Sequence, residues 1–173
     1  LWMWVVFRFA DERLPRERSM QVFWMACTSL LVLVIGRAAT ADALLNLLIT
    51  LSMLDIYRHF ERPDPALLRR IFLWLGLGVL TKGPVAVFIP LISVILFVAL
   101  NGKWLWLGRA LSRPLPWLLF FSVALSWYVL EYLDQGQAFI DGFILKHNVG
   151  RFSDTMESHG GSLFYYLPVI LLI

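Results

Sequence analysis

Charge and cysteine are what this chain has least of. Asp, Glu, Lys and Arg make up 16% of its 173 residues, whereas 60% are hydrophobic and mean hydropathy is +0.73. So few charges do not cover the surface of a soluble domain, and the balance points to a membrane protein. The single cysteine, Cys27, excludes an internal disulfide and a thiolate zinc cluster. It lies in an apolar run and reads as a small buried hydrophobe. No glycine-rich nucleotide-binding loop, internal repeat or signal peptide is seen, and nothing in the composition calls for nucleic acid.

What the chain does have is apolar helix. Long hydrophobic runs recur, and its 8 Trp tend to sit near their ends, as in an interfacial belt. The runs predict helices near 20–36, 41–57, 65–82, 84–101 and 114–133. A helix tail at 1–9 precedes them and another span begins near 162. The segments 1–9 and 163–173 are each too short to cross a hydrocarbon layer of about 30 Å. The expected fold is therefore an all-α, polytopic transmembrane bundle. The chain reads as part of one domain truncated at both ends, with a long connection at about 134–161.

Charge asymmetry orients the bundle. Eleven of the 15 cations fall in loops on one side: Arg8, Arg13, Arg16 and Arg18, then Arg58, Arg62, Arg69 and Arg70, then Lys103, Arg109 and Arg113. By the positive-inside rule this side is cytoplasmic. Asp11, Glu12, Glu17, Glu61 and Asp64 interleave with those arginines and read as plain surface, with Asp55 at the same rim. The opposite, external side keeps Arg37, Lys82, Lys146 and Arg151, together with Asp42, Glu157, His147 and His159. Lys82-Gly83-Pro84 marks a tight hairpin between two spans, and Asp42 opens the helix that follows Arg37.

Each external charge has an ordinary explanation on its own. Lys82 suits a helix C-terminus and Asp42 a helix N-terminus, Arg37 could snorkel, and Lys146 and Arg151 could meet anionic lipid. Their convergence on one side is what a site for an anionic, lipid-linked substrate requires. Within the long connection, Phe139, Phe143, His147 and Arg151 are spaced four apart, which predicts an external interfacial helix with one aromatic and basic face.

The ordered pieces Arg37-Ala38-Ala39-Thr40-Ala41-Asp42, Gly78-Val79-Leu80-Thr81-Lys82-Gly83-Pro84 with Pro90, Ser126-Trp127-Tyr128, His147-Asn148-Val149-Gly150-Arg151-Phe152 and His159-Gly160-Gly161 before Tyr165-Tyr166-Leu167-Pro168 carry a resemblance. In them the chain resembles the GT-C membrane glycosyltransferases. The nearest branch holds the bacterial aminoarabinose transferases acting on lipid A and relatives of the protein mannosyltransferases. Together the pieces span about residues 37 to 168.

The resemblance implies transfer of a sugar from a polyprenyl-phosphate carrier to a lipid, glycan or protein acceptor, at the external face of a bacterial inner membrane. It would make Arg151 a ligand of the carrier phosphate and Asp42 a supporting acidic residue of the cavity. Lys82 would lie at the rim, with His147, His159, Arg37 and Glu157 nearby as further binding groups. No cofactor is required. Asp42, Glu157 and the histidines are candidate ligands for a divalent metal, but no ligand spacing demands one. Such enzymes carry their principal carboxylate in the first external loop, which is expected before residue 1, so the piece alone would be inactive. Ser126 stands where many relatives have proline, which leaves open whether the chain kinks there. A transporter or lipid flippase is the rival reading and a purely structural membrane subunit a third. Transporters tend to place their charges near the midplane on broken helices, rather than at helix ends on one side.

Overall fold

A computed structural model describes residues 1–37 and 41–137, and among them every regular element is helical. The chain divides into two compact units, Leu1–Leu125 and Ser126–Ile173.

The first unit begins with α1 (Trp2–Asp11), α2 (Arg16–Thr28) and α3 (Leu30–Arg37). Where the sequence predicts one span over 20–36, the helix is interrupted at Ser29, whose backbone is extended (φ −61°, ψ 120°). The preceding Thr28 hydroxyl donates to the Trp24 carbonyl at 2.8 Å. Such back-bonding to the previous turn competes with regular helix. α4 (Ala41–Glu61) follows and lies beside α1 in parallel. Trp2 Nε1 donates to Thr50 Oγ1 at 2.8 Å near one end, and Arg13 meets Glu61 near the other.

α5 (Pro65–Lys82) starts where the chemistry of the chain requires. The Asp64 carboxylate accepts from the Ala66 N–H at 2.8 Å, and Pro65, lacking an N–H, takes the first helical position. Its end is equally local. Gly83 has φ 82°, a conformation that favours glycine, and Pro84 leads directly into α6 (Val85–Asn101). Gly78 completes the hairpin, since a Cβ there would lie 2.7 Å from the Ala86 Cβ. The absence of a side chain is what lets α5 and α6 approach so closely. Pro90 lies inside α6 and is buried.

α7 (Trp104–Leu111) is an additional short helix in a segment read as a connection. α8 (Pro114–Ala124) then packs against α5, with Phe72 edge-on to Trp117 at 4.9 Å between ring centroids. Gly76 faces the Phe120 carbonyl and Val123 across this contact. The order of contacts makes α5 and α8 parallel, so both begin at the arginine-rich end. The core gathers Leu68, Ile71, Phe72 and Ala110, with Ile56, Leu75 and Phe120 against it.

In the second unit, the described residues form α9 (Ser126–Gln135), where Trp127 and Tyr128 rings meet edge to face. The helix predicted over 114–133 is thus interrupted at Leu125, so the break falls next to Ser126 without a proline.

No single helix among the described residues is long and apolar enough to cross a membrane. α5 carries Arg69, Arg70 and Lys82, while α6, uncharged and apolar but for Ser93 and Asn101, has 17 residues. α8 and α9 taken together have the length and composition of a span. Large apolar side chains nevertheless face outward, among them Phe88, Ile92 and Leu96 of α6 and Leu115, Leu118 and Phe121 of α8. Apolar surface on this scale marks a face that meets lipid or other protein.

Candidate functional site

Two charged sites occupy opposite ends of the antiparallel α4–α5 pair. At the first, Lys82 in the last turn of α5 donates to Asp42 in the first turn of α4. The hairpin at Gly83-Pro84 and the short 62–64 connection together bring these helix ends level. Each charge also suits its own helix, an anion at the N-terminus of α4 and a cation at the C-terminus of α5. The side chains are 48% and 46% exposed, so water competes with their mutual attraction. Both charges therefore stay accessible to a ligand. The carboxylate offers acceptor oxygens, and the ammonium offers a point charge for phosphate.

Arg37 ends α3, and three residues separate it from Ala41, where the described backbone resumes at α4. His147, Arg151, Glu157 and His159 lie outside the described residues, as does the interfacial helix expected around 137–152. The structure thus brings two of the seven candidate residues together. Among the described residues no group of three or more His, Cys, Asp or Glu is placed to hold a metal ion. Asp42 accordingly has no ligand set beside it there.

The second site was not apparent from sequence. Asp55, read as a rim residue, is fully buried. It accepts from Trp74 Nε1 at 3.0 Å and pairs with Arg58 and Arg70, each at 3.1 Å. Arg58 reaches on to Glu12 at 2.9 Å, Glu12 meets Arg13 at 3.1 Å, and Arg13 meets Glu61 at 2.5 Å. This chain of three acids and three arginines ties α1, α4 and α5 together. Partial burial pushes the Glu12 carboxyl up, but the Arg58 fork and the Arg13 contact outweigh it and hold the group below its ordinary value. Burial likewise opposes the charge of Arg13, and Glu61 and Glu12 more than restore it. Its guanidinium also lies 3.9 Å from the Phe9 ring centroid.

One signal could have found this site. Asp55 interrupts an apolar run, and an ionisable group in such a run normally has a partner. Arg58 follows at i+3, and Arg70 and Trp74 share a face of the next helix through their i, i+4 spacing. The pairing across helices is a tertiary fact.

Beside this site lies an apolar cavity of about 120 Å³ between α4, α5, α6, α7 and α8. His59 and Trp106 belong to its wall, with ring centroids 5.6 Å apart. His59 Nδ1 and Trp106 Nε1 are buried and have no hydrogen-bond partner.

Comparison with known proteins agrees with the motif resemblance. Residues 1–130 match the family model described as dolichyl-phosphate-mannose-protein mannosyltransferase. The undecaprenyl phosphate-alpha-4-amino-4-deoxy-L-arabinose arabinosyl transferase of Aeromonas hydrophila is 29% identical over an alignment covering 95% of this chain and 34% of the relative. Proteins of the same description from Edwardsiella ictaluri and Pectobacterium carotovorum are 28% and 27% identical. Those alignments cover 98% and 95% of the chain, and 30% and 33% of the relatives. The chain therefore spans about a third of the length of the curated relatives it matches. No solved structure matches significantly. Because the family match runs from α1 into α9, through both ends of the α4–α5 pair, the chain belongs to the dolichyl-phosphate-mannose-protein mannosyltransferase family.

Proposed function

We propose that the chain is part of an integral membrane glycosyltransferase that moves a sugar from a polyprenyl-phosphate carrier to a lipid, glycan or protein acceptor. The observation that carries this reading is the pairing of Asp42 with Lys82 at the end of the helix pair remote from the arginines. The family match and the aminoarabinose-transferase relatives support the reaction class. Eleven cations against four support an orientation with Asp42 and Lys82 on the external face of a bacterial inner membrane.

Displacing a polyprenyl phosphate from the anomeric carbon leaves growing negative charge on the departing phosphate. Lys82 is proposed to stabilise that charge, and Arg151 to hold two phosphate oxygens with its planar fork. The acceptor hydroxyl loses a proton as it attacks. A carboxylate of the full-length enzyme takes that proton, and Asp42 orients Lys82 until substrate arrives. Arg37, His147, Glu157 and His159 are proposed as further groups of the same cavity. The chemistry needs no nucleotide and no cofactor.

The test uses the full-length enzyme with a polyprenyl-phosphate sugar donor. Lys82→Met and Arg151→Lys are each expected to lower transfer about 10²–10³-fold with normal insertion, while Lys146→Ala has little effect. Near wild-type transfer by both site variants would reduce these residues to surface anchors. Orientation is tested separately by impermeant thiol labelling in a Cys27→Ser background. If cysteines placed at 42 and 151 label from opposite sides, the common site does not exist.

A further inference from the structure

We propose that the arginine-rich end of the fold holds one anionic phospholipid of the surrounding bilayer. Its phosphate would lie between Arg69 and Arg113 and part of an acyl chain in the apolar cavity beneath. This rests on the membrane reading above, but the site is separate from the sugar-transfer site.

The headgroup position is a recess of about 170 Å³ between the starts of α5 and α8, walled by Arg69, Arg113, Leu68 and three prolines, Pro65, Pro114 and Pro116. Arg58 and Arg70 are committed to Asp55, and Arg13 to Glu61 and Glu12. Asp64, the acid nearest in sequence, uses its carboxylate to cap α5. Arg69 and Arg113 have no ion pair or hydrogen bond from their side chains among the described residues. Two arginine forks left over in one recess match the oxygens of a phosphodiester. The parallel start of α8, which has no side-chain cap, adds positive potential at the same place.

The tail position follows from the wall the two spaces share. Leu68 lines both the recess and the 120 Å³ cavity. The cavity is apolar, so hydrocarbon suits it better than water. Leu91, Leu111 and Trp117 of its wall are partly exposed, which opens it toward the outward apolar surface of α6 and α8. His59 is 7% exposed and its Nδ1 lacks a partner, as does Trp106 Nε1. Both atoms are closed off from the cavity, whose accessible lining is wholly apolar. Phosphate and chain thus succeed one another in the order of arginines and apolar wall.

The experiment titrates purified full-length protein in detergent with dioleoyl phosphatidylglycerol, dioleoyl phosphatidylcholine or inorganic phosphate. Binding is read by native mass spectrometry and by the shift in Tm. Phosphatidylglycerol is expected to bind at least about tenfold more tightly than phosphatidylcholine. The double variant Arg69→Gln/Arg113→Gln is expected to lose that preference, while Arg62→Gln keeps it. Both arginines are exposed, so folding should survive, and Arg69→Lys/Arg113→Lys retains part of the preference if charge is the cause. Equal binding of both lipids, or a preference that survives the glutamine pair, overturns the proposal. So does a Tm shift reproduced by inorganic phosphate alone, which would mark a simple anion site. A protein that stays monodisperse without detergent would instead overturn the membrane reading.

Discussion

The two ends of the α4–α5 pair are built on opposite electrostatic plans. At one, a half-exposed carboxylate meets a half-exposed ammonium, with no further ion pair among the described residues. At the other, about 20 Å away along α4 by helical rise, Asp55 is sealed from water and tied through arginines to α1 and α5. The exposed pair contributes little to stability and leaves both charges available to a ligand. The buried network commits its charges to one another and fixes the packing of three helices. A charge that serves binding must remain accessible, and a charge that serves architecture must not.

That contrast is easiest to break at Asp55. Asp55→Ala leaves Arg58, Arg70 and the Trp74 N–H facing an empty acceptor site, and the loss is expected to be about 3 kcal/mol. Asp42→Ala should cost under about 1 kcal/mol. Both are read as changes in thermal unfolding in one detergent, and equal losses would dissolve the distinction.

The next effect in size sharpens how the ligand-accessible end is held in place. Gly78→Ala puts a methyl against the Ala86 Cβ and should destabilise by about 1–2 kcal/mol, despite alanine's better helix propensity. Ala86→Gly in the same chain should recover part of the loss. Without that recovery, the close approach of α5 and α6 is not what demands glycine at 78. Widening the hairpin also moves Lys82, so transfer activity is expected to fall along with stability.

The smallest expected effect lies in pH. Glu12 is held below its ordinary value of 4.5, so its folded form favours the ionised state. That stabilisation is present in full above about 4.5 and is lost as pH falls through the lowered folded value. Because Glu12 is 44% exposed, the contribution is under about 1 kcal/mol. Glu12→Gln should therefore flatten the acid limb of a Tm-against-pH profile and leave the Asp42 end unaffected. A profile unchanged by the substitution would detach Glu12 from the network.

Much of this was legible because it is local. Asp64 followed by Pro65 starts α5, and Lys82-Gly83-Pro84 ends it, each through the dihedral and hydrogen-bonding limits of the residues themselves. The apolar runs placed α4, α5 and α6 with ends close to those observed. The helix interruptions at Ser29 and Leu125 were not legible, because neither position carries a proline or glycine. α7 was missed because its eight residues lie between two apolar runs and look like a loop.

The all-α character, the family and the placement of Asp42 and Lys82 on one side were already written in the chain. Hydropathy, turn chemistry and motif order are carried by consecutive residues, and a helical hairpin brings its own two ends level. That Asp55 is a buried hub rather than a rim residue, and that Arg69 and Arg113 are left over beside an apolar cavity, came from the packing of the helices. Which arginine neutralises which acid depends on how helices far apart in sequence come together, and charge counted along the chain does not contain that information.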